Sequence, residues 1–433
     1  MAGVGDGVIG GMKADDLHRR LDALWRMESP KLLARLARIT GNIDTAEELA
    51  QDVLLAALER WPREGVPDNP AAWLMTAARH RSIGHVRQRQ LHARKQDEFG
   101  IELTLHGADM QGDDAQRFAD DDIGDDLLRL VFASCHPVLP MDSRVALTLR
   151  LLGGLSTPEI ARAFLQQEAT VAQRIVRAKR ALASAQVPFE VPRRAELPER
   201  LEAVLEVLYL VFNEGYAATS GEDWMRPALC EEALRLGRVL AGLLPREPEV
   251  FGLLALMELQ ASRISARTRV NGSPVLLAEQ HRARWDRLQI QRGLQALAHA
   301  RQLGGDDGRY VLQAALAACH ARAPRFEDTD WAGIAALYAR LMHVAPSPVV
   351  ELNRAVAVGR AQGAAAALPI VDALAADAKL SGYAPLPAVR GDLLEQLGRR
   401  DEAHDEFARA AALTGNARER EALLARAAAC ASA

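Results

Sequence analysis

The sequence predicts an all-α protein, and three observations predict it. Ala, Leu and Arg, all strong helix formers, are abundant from end to end. Aromatic residues, which favour strands, make up only 5% of the chain. Capping signals recur just ahead of apolar residues at helical rather than alternating spacing. At 433 residues there is room for two or three domains with separate cores.

The start, "MAGVGDGVIGGMKADD", is Gly-rich and has no basic segment followed by a sustained apolar run, so residues 1–14 are expected to be disordered rather than a leader. No later window reaches the roughly 18 apolar residues of a membrane span. The four cysteines, Cys135, Cys230, Cys319 and Cys430, are far apart and contain no CxxC pair. Neither a disulfide framework nor a zinc ribbon is indicated, and a reducing cytoplasm fits. The pairs Cys135-His136 and Cys319-His320 lack a third and fourth ligand at suitable spacing, so no metal or other cofactor is expected.

The stretch "DTAEELAQDVLLAALERW" offers Asp44 or Thr45 as an N-cap, with Leu49, Val53, Ala57 and Trp61 on one face and Glu47, Glu48, Gln51 and Asp52 on the other. The next helix, "PAAWLMTAARHRSIGHVRQRQ", starts at a proline suited to a first turn and can bury Leu74, Ala77, Ala78, Ile83 and Val86. Its polar face is basic. Arg79, Arg81, Arg87 and Arg89 could follow a phosphate backbone, and Trp73 could pack in the core or lie under an unstacked base.

Charge then reverses. No acid occurs from Asn69 to Gln96, whereas Asp97 to Asp126 holds eleven acids against Arg117 alone. With few apolar anchors, this acidic segment is expected to stay extended as a linker over 93–126. It reads either as a solubilising spacer or as a polyanion competing with nucleic acid beside the basic block.

Ser156 to Glu159 reads S-x-x-E, a capping box with Pro158 in the first turn. Thr170 to Gln173 reads T-x-x-Q, a second capping signal, so two short helices are expected about one turn apart, as in a helix-turn-helix. In the second, Val171, Ile175, Ala178 and Leu182 fall in one narrow stripe that must be buried. Gln173, Arg177 and Arg180 then project outwards, flanked by Arg174 and Lys179, with no acid from Ala169 to Phe189. A solvated helix would mix in Glu for i,i+4 pairs; this one has the side chains of a DNA-reading helix.

Together these blocks resemble the extracytoplasmic-function sigma factors, dissociable subunits that let bacterial RNA polymerase recognise and open promoters. "DTAEELAQDVLLAALERW" resembles the part of region 2 that docks on core polymerase, which implies that role for Asp44, Glu47, Glu48, Gln51 and Asp52. "NPAAWLMTAARHRSIGHVRQRQ" resembles the part that binds the minus-ten element, which implies Trp73, Arg79, Arg81, Arg87 and Arg89. "MDSRVALTLRLLGGLSTPEIARAFLQQEATVAQRIVRAKRAL" resembles region 4, the reader of the minus-thirty-five element, which implies Thr170, Gln173, Arg174, Arg177, Lys179 and Arg180. Leu165 and Ala169 stand where the family commonly has Gly, and Gly84 where it has Asp. The resemblance implies two small helical sigma domains, over 15–92 and 127–187, with core polymerase and promoter DNA as partners and no catalytic role.

Beyond residue 188 the chain reads as further Ala- and Leu-rich helices. "YAPLPAVRGDLLEQLGRRDEAHDEFARAAAL", 383–413, has Gly391, Gly398, Ala403, Phe407 and Ala410 at the offsets of a tetratricopeptide (TPR) repeat. A short TPR-like solenoid is expected, offering a surface for a protein or peptide partner. "RISARTRVNGSPVLLAEQHRARWD" is the least repeat-like part, expected as a long inter-helix loop with a turn at Asn271-Gly272. Such an extension resembles one subgroup of these sigma factors. The competing expectation is a helix-turn-helix transcriptional regulator with a repeat-type sensory domain, which would have no use for the region 2-like block.

Overall fold

The computed structural model describes residues 14–97, 123–164, 166–218, 225–269, 273–377 and 380–431. Residues 1–13 of the expected disordered start, the bulk of the acidic stretch (98–122) and the Asn271-Gly272 turn lie outside the described residues. Among the described residues every named element is a helix, and an isolated antiparallel bridge joins Thr268 and Pro274. The chain divides into two compact units, 1–207 and 208–433.

In the first unit, α1 (Ala14–Thr40), α2 (Ile43–Glu64) and α3 (Pro70–Asp97) pack together, and α4 (Ile123–Ser134) lies on α1. The expected stripe of α2 is buried in full: Leu49, Val53, Ala57 and Trp61. The cap is not as expected. Asn42 Oδ1 accepts from the Thr45 amide at 3.0 Å, so the helix starts at Ile43 and Asp44 lies in its first turn instead of capping it. At the start of α3, Asn69 Oδ1 accepts from the Ala72 amide at 3.0 Å, and Leu74 and Ala78 are fully buried. The acidic stretch also turns helical before Asp126, at Ile123, because Leu128, Leu130, Val131 and Phe132 give it an apolar face to bury.

Next come α5 (Met141–Leu151), α6 (Thr157–Ala163), α7 (Glu168–Ser184) and α8 (Leu197–Tyr216), which begins in the first unit and ends in the second. The Ser156 capping box forms: Glu159 Oε2 accepts from the Ser156 amide at 2.8 Å and from its hydroxyl at 2.7 Å. The second box does not. Gln167 is the N-cap, with extended backbone and no side-chain bond, so Thr170 is the third residue of α7 and its amide donates to the Gln167 carbonyl at 3.0 Å. Helix propensity carries Glu168 and Ala169 into the helix, and an acid in the first turn suits its dipole.

The second unit is a succession of helices in which sequence neighbours pack on one another: α9 (Pro227–Leu243), α10 (Pro248–Ala261), α11 (Arg287–Gln302), α12 (Arg309–Arg322), α13 (Trp331–Val344), α14 (Pro348–Gln362), α15 (Ala364–Leu374), α16 (Pro385–Gln396), α17 (Arg400–Leu413) and α18 (Ala417–Ala431). The TPR-like offsets have physical causes. A side chain at Gly391 would bring its Cβ within 2.9 Å of the Phe407 ring, so only Gly lets α16 approach α17 this closely. Gly398 turns the chain between them at φ +74, and Ala403, Phe407 and Ala410 are fully buried.

Residues 263–286 are not the open loop expected. Three short 3-10 turns, Ile264–Ala266, Leu277–Glu279 and Arg282–Arg284, fold the segment back on itself. Arg267 is buried, its guanidinium 3.5 Å from the Tyr216 ring centroid. Arg263 donates to Gln280 Oε1 at 3.2 Å, and Gln280 donates to the Val275 carbonyl at 3.1 Å.

Candidate nucleic-acid interface

The rotation of α7 about its axis is set from behind. Val171, Ile175, Ala178 and Leu182 are all buried, and burying the Val, Ile and Leu side chains stabilises by roughly 1.5–3 kcal/mol each, with a smaller gain from the Ala178 methyl. No surface contact competes with that. The consequence is an outward face of Thr170, Gln173, Arg177 and Arg180, all exposed. Arg177 Nη2 donates to Gln173 Oε1 at 3.4 Å, one turn away, so the two sit side by side as a hydrogen-bonding pair.

The flanking cations are placed differently. Arg174 is half-buried, donating to Gln166 Oε1 at 2.9 Å and lying 3.3 Å from Asp142. Lys179 is turned towards α2, where it bridges Asp44 and Glu47, the latter at 2.8 Å. Burial works against the Lys179 ammonium, but its hydrogen bonds to Asp44 and Glu47 and their charges outweigh that and hold its pKa above the ordinary value. Glu47 also accepts from Arg150 Nε at 3.2 Å. Two residues of the expected polymerase-docking set and one of the expected DNA set are thus brought into one salt-bridge cluster. Glu48, Gln51 and Asp52 stay exposed on the same helix. Next to them Trp25, Gln51, Leu55, Arg150 and Glu159 line a cleft of about 620 Å³.

On α3, Trp73 is half-buried and packs edge-on against buried Trp61, ring centroids 5.4 Å apart. Arg79 and Arg81 are half-buried on the same helix. Arg87 and Arg89 follow on it, but their side chains lie outside the described residues. Gly84 is exposed, and a Cβ there would meet nothing within 4 Å, so the helix does not need glycine at that turn.

One residue that organises the unit was missed in the sequence. Asp126, read as linker, is fully buried, 2.7 Å from Arg129, 3.1 Å from Arg35 and 3.1 Å from Arg38. Burial pushes its carboxyl up while the three guanidiniums pull it down. Its signal was the i,i+3 pair with Arg129 beside the apolar run from Leu127. Cys135 is buried and bonded to Thr148 at 3.3 Å. Among the described residues no three His, Cys, Asp or Glu side chains gather as metal ligands, and no helix is long and apolar enough to cross a membrane.

Residues 24–92 match the model of sigma-70 region 2, and residues 129–182 that of sigma-70 region 4. Residues 200–301 match a family of unknown function, DUF6596. The chain is 45% identical over 394 residues to an uncharacterized protein of Rhizobium meliloti (strain 1021), covering 90% of this chain and 91% of that one. The crystal structure of yeast Tom70 superposes with a TM-score of 0.31 and 12% identity over 96% of this chain and 86% of that chain. A similarity of that size carries no argument about this chain.

Proposed function

The chain belongs to the same family as the Rhizobium meliloti protein and carries sigma-70 regions 2 and 4; from that premise we propose that it is an extracytoplasmic-function RNA polymerase sigma factor with a fused helical regulatory domain. It docks on core polymerase through Asp44, Glu47, Glu48, Gln51 and Asp52. It captures the minus-ten element through Trp73, Arg79, Arg81, Arg87 and Arg89. It reads the upstream element through Thr170, Gln173, Arg174, Arg177, Lys179 and Arg180, and works in the cytoplasm beside polymerase and promoter DNA.

The observation that supports this best is the exposed Gln173, Arg177 and Arg180 face of α7, turned outwards by its buried stripe. Arg and Gln are the side chains that pair bidentately with guanine and adenine edges in the major groove. The cluster of Lys179 with Asp44 and Glu47 adds a condition. In this arrangement the docking and reading residues occupy one another, so using both surfaces at once requires α2 and α7 to part.

The test is reconstitution. Core polymerase supplied with the purified full chain should initiate at a small, defined set of promoters that core alone does not use. If added protein produced no start sites beyond those of core alone, the sigma-factor reading would fail.

A further inference from the structure

The second unit contains a cavity of about 1020 Å³ where the folded-back segment 263–286 meets α11 and the chain leaving α12. The α11 wall consists of two neighbouring rows at i,i+4 spacing. Ile290, Leu294 and Ala298 form the apolar row, and Arg287, Gln291 and Gln295 the polar one. Asp286 fixes the start of this wall by accepting from the Leu288 amide at 2.8 Å. The end of α12 and the chain after it add Arg322, Arg325 and Phe326 to the lining.

Charge in this cavity is one-sided: four arginines, Arg282, Arg287, Arg322 and Arg325, face Glu327 as the single acid. Arg325 is held by Asp328 at 2.7 Å. Arg282 has no such partner. Its guanidinium lies over Trp285, 4.2 Å from the ring centroid, and Nη1 donates to the His320 carbonyl. Its Nε and Nη2, and the Trp285 Nε1, are buried without a hydrogen-bond partner. A second cation, Arg263, lies over the same indole at 5.1 Å. A half-buried cation whose Nε and Nη2 are buried and which has no ion-pair partner favours a ligand that can neutralise it. Among the described residues Glu327 is the acid whose charge reaches Arg282, without an ion pair between them, against four arginines in the lining.

We propose that this cavity binds an acidic peptide segment of a partner protein, its carboxylates meeting Arg287 and Arg322 above Arg282 and an apolar side chain lying along Ile290, Leu294 and Phe326. A peptide fits better than a small anion. The positive groups come from three parts of the chain, the folded-back segment, α11 and the end of α12 with the residues after it, and the apolar row from Ile290 to Ala298 runs about 12 Å at 1.5 Å per residue, the length of three or four extended residues. This inference is independent of the promoter reading.

A fluorescein-labelled peptide, Asp-Leu-Glu-Asp-Leu-Glu-Asp, titrated with the full chain and followed by anisotropy, tests it. Saturable binding is expected, weakened at least about tenfold by Arg322→Glu, Arg282→Gln or Leu294→Asp. Arg246→Glu, an equal charge reversal at an exposed site outside the cavity, should leave it unchanged. A peptide with Lys for every acid should not bind. Arg322 is exposed, so its variant keeps the test valid should Arg282→Gln fail to fold. Absence of saturable binding, or equal weakening by Arg246→Glu, would overturn the proposal. Displacement by citrate at the peptide's own affinity would overturn the peptide occupant in favour of a small anion.

Discussion

Two groups of cations, one in each unit, are treated in opposite ways. In the first, Arg35, almost wholly buried, is held with Arg38 and Arg129 on the carboxylate of Asp126, and Lys179 on Asp44 and Glu47. In the second, half-buried Arg282 and Arg263 share the Trp285 ring, and among the described residues Arg282 makes no ion pair, Glu327 reaching it only through its charge. The same contrast recurs within α7: Lys179 is neutralised, whereas Arg177 and Arg180 face outwards and make no ion pair among the described residues. Compensated cations fix the arrangement of helices; uncompensated ones are left for something outside the chain.

The largest effect that sharpens this contrast is at Asp126. Asp126→Ala strands a buried guanidinium and should lower the unfolding free energy by about 3–5 kcal/mol. Arg282→Gln breaks no ion pair and loses only a hydrogen bond to the His320 carbonyl and the contact with Trp285, so the ligand-free chain should lose no more than about 1–2 kcal/mol. Equilibrium denaturation of both variants measures this, and equal losses would erase the distinction.

Acid gives the next effect. Burial, then the charges of Arg263 and Arg282, lower the His320 pKa from 6.5 to about 4. The unfolded chain therefore takes up a proton near pH 6.5 that the folded chain refuses until about pH 4. His320 contributes its full stability above pH 6.5 and loses it as the pH falls towards 4, about 3 kcal/mol in all at 1.36 kcal/mol per pH unit. Denaturation curves between pH 7 and 4 should show that slope in the parent chain and lose it in His320→Gln.

The smallest effect is on α7. Lys179→Met should cost only about 1 kcal/mol, because Asp44, one of its two partners, is half in solvent. Arg177→Met should stay within about 0.5 kcal/mol, because its hydrogen bond to Gln173 is long and exposed to solvent.

Much of the first unit was legible because its signals are periodic and local. Val171, Ile175, Ala178 and Leu182 could be placed on one face by counting, and Ser156 and Glu159 form their capping box within four residues. Where two local signals competed, counting failed: Asn42 caps α2 in place of Asp44 or Thr45, and α7 starts two residues ahead of Thr170 with no side-chain cap. Asp126 was read by the charge around it rather than by the apolar run after it. The cavity was illegible for a different reason. It joins Arg282 to Arg322, forty residues apart, through a segment whose 3-10 turns carry no periodic pattern. The arginines there were visible in the sequence, but their missing counter-charge was not.

The central claim is that the uncompensated face of α7 reads promoter DNA, and Arg177→Ala tests it most directly. Initiation by core polymerase should be measured with parent and variant chains on a promoter randomised at the upstream element. The variant should lose about 1–3 kcal/mol of recognition and relax its preference at one or two base pairs while starting at the same sites. Unchanged preference at every upstream position would remove Arg177 from the reading face and contradict the account.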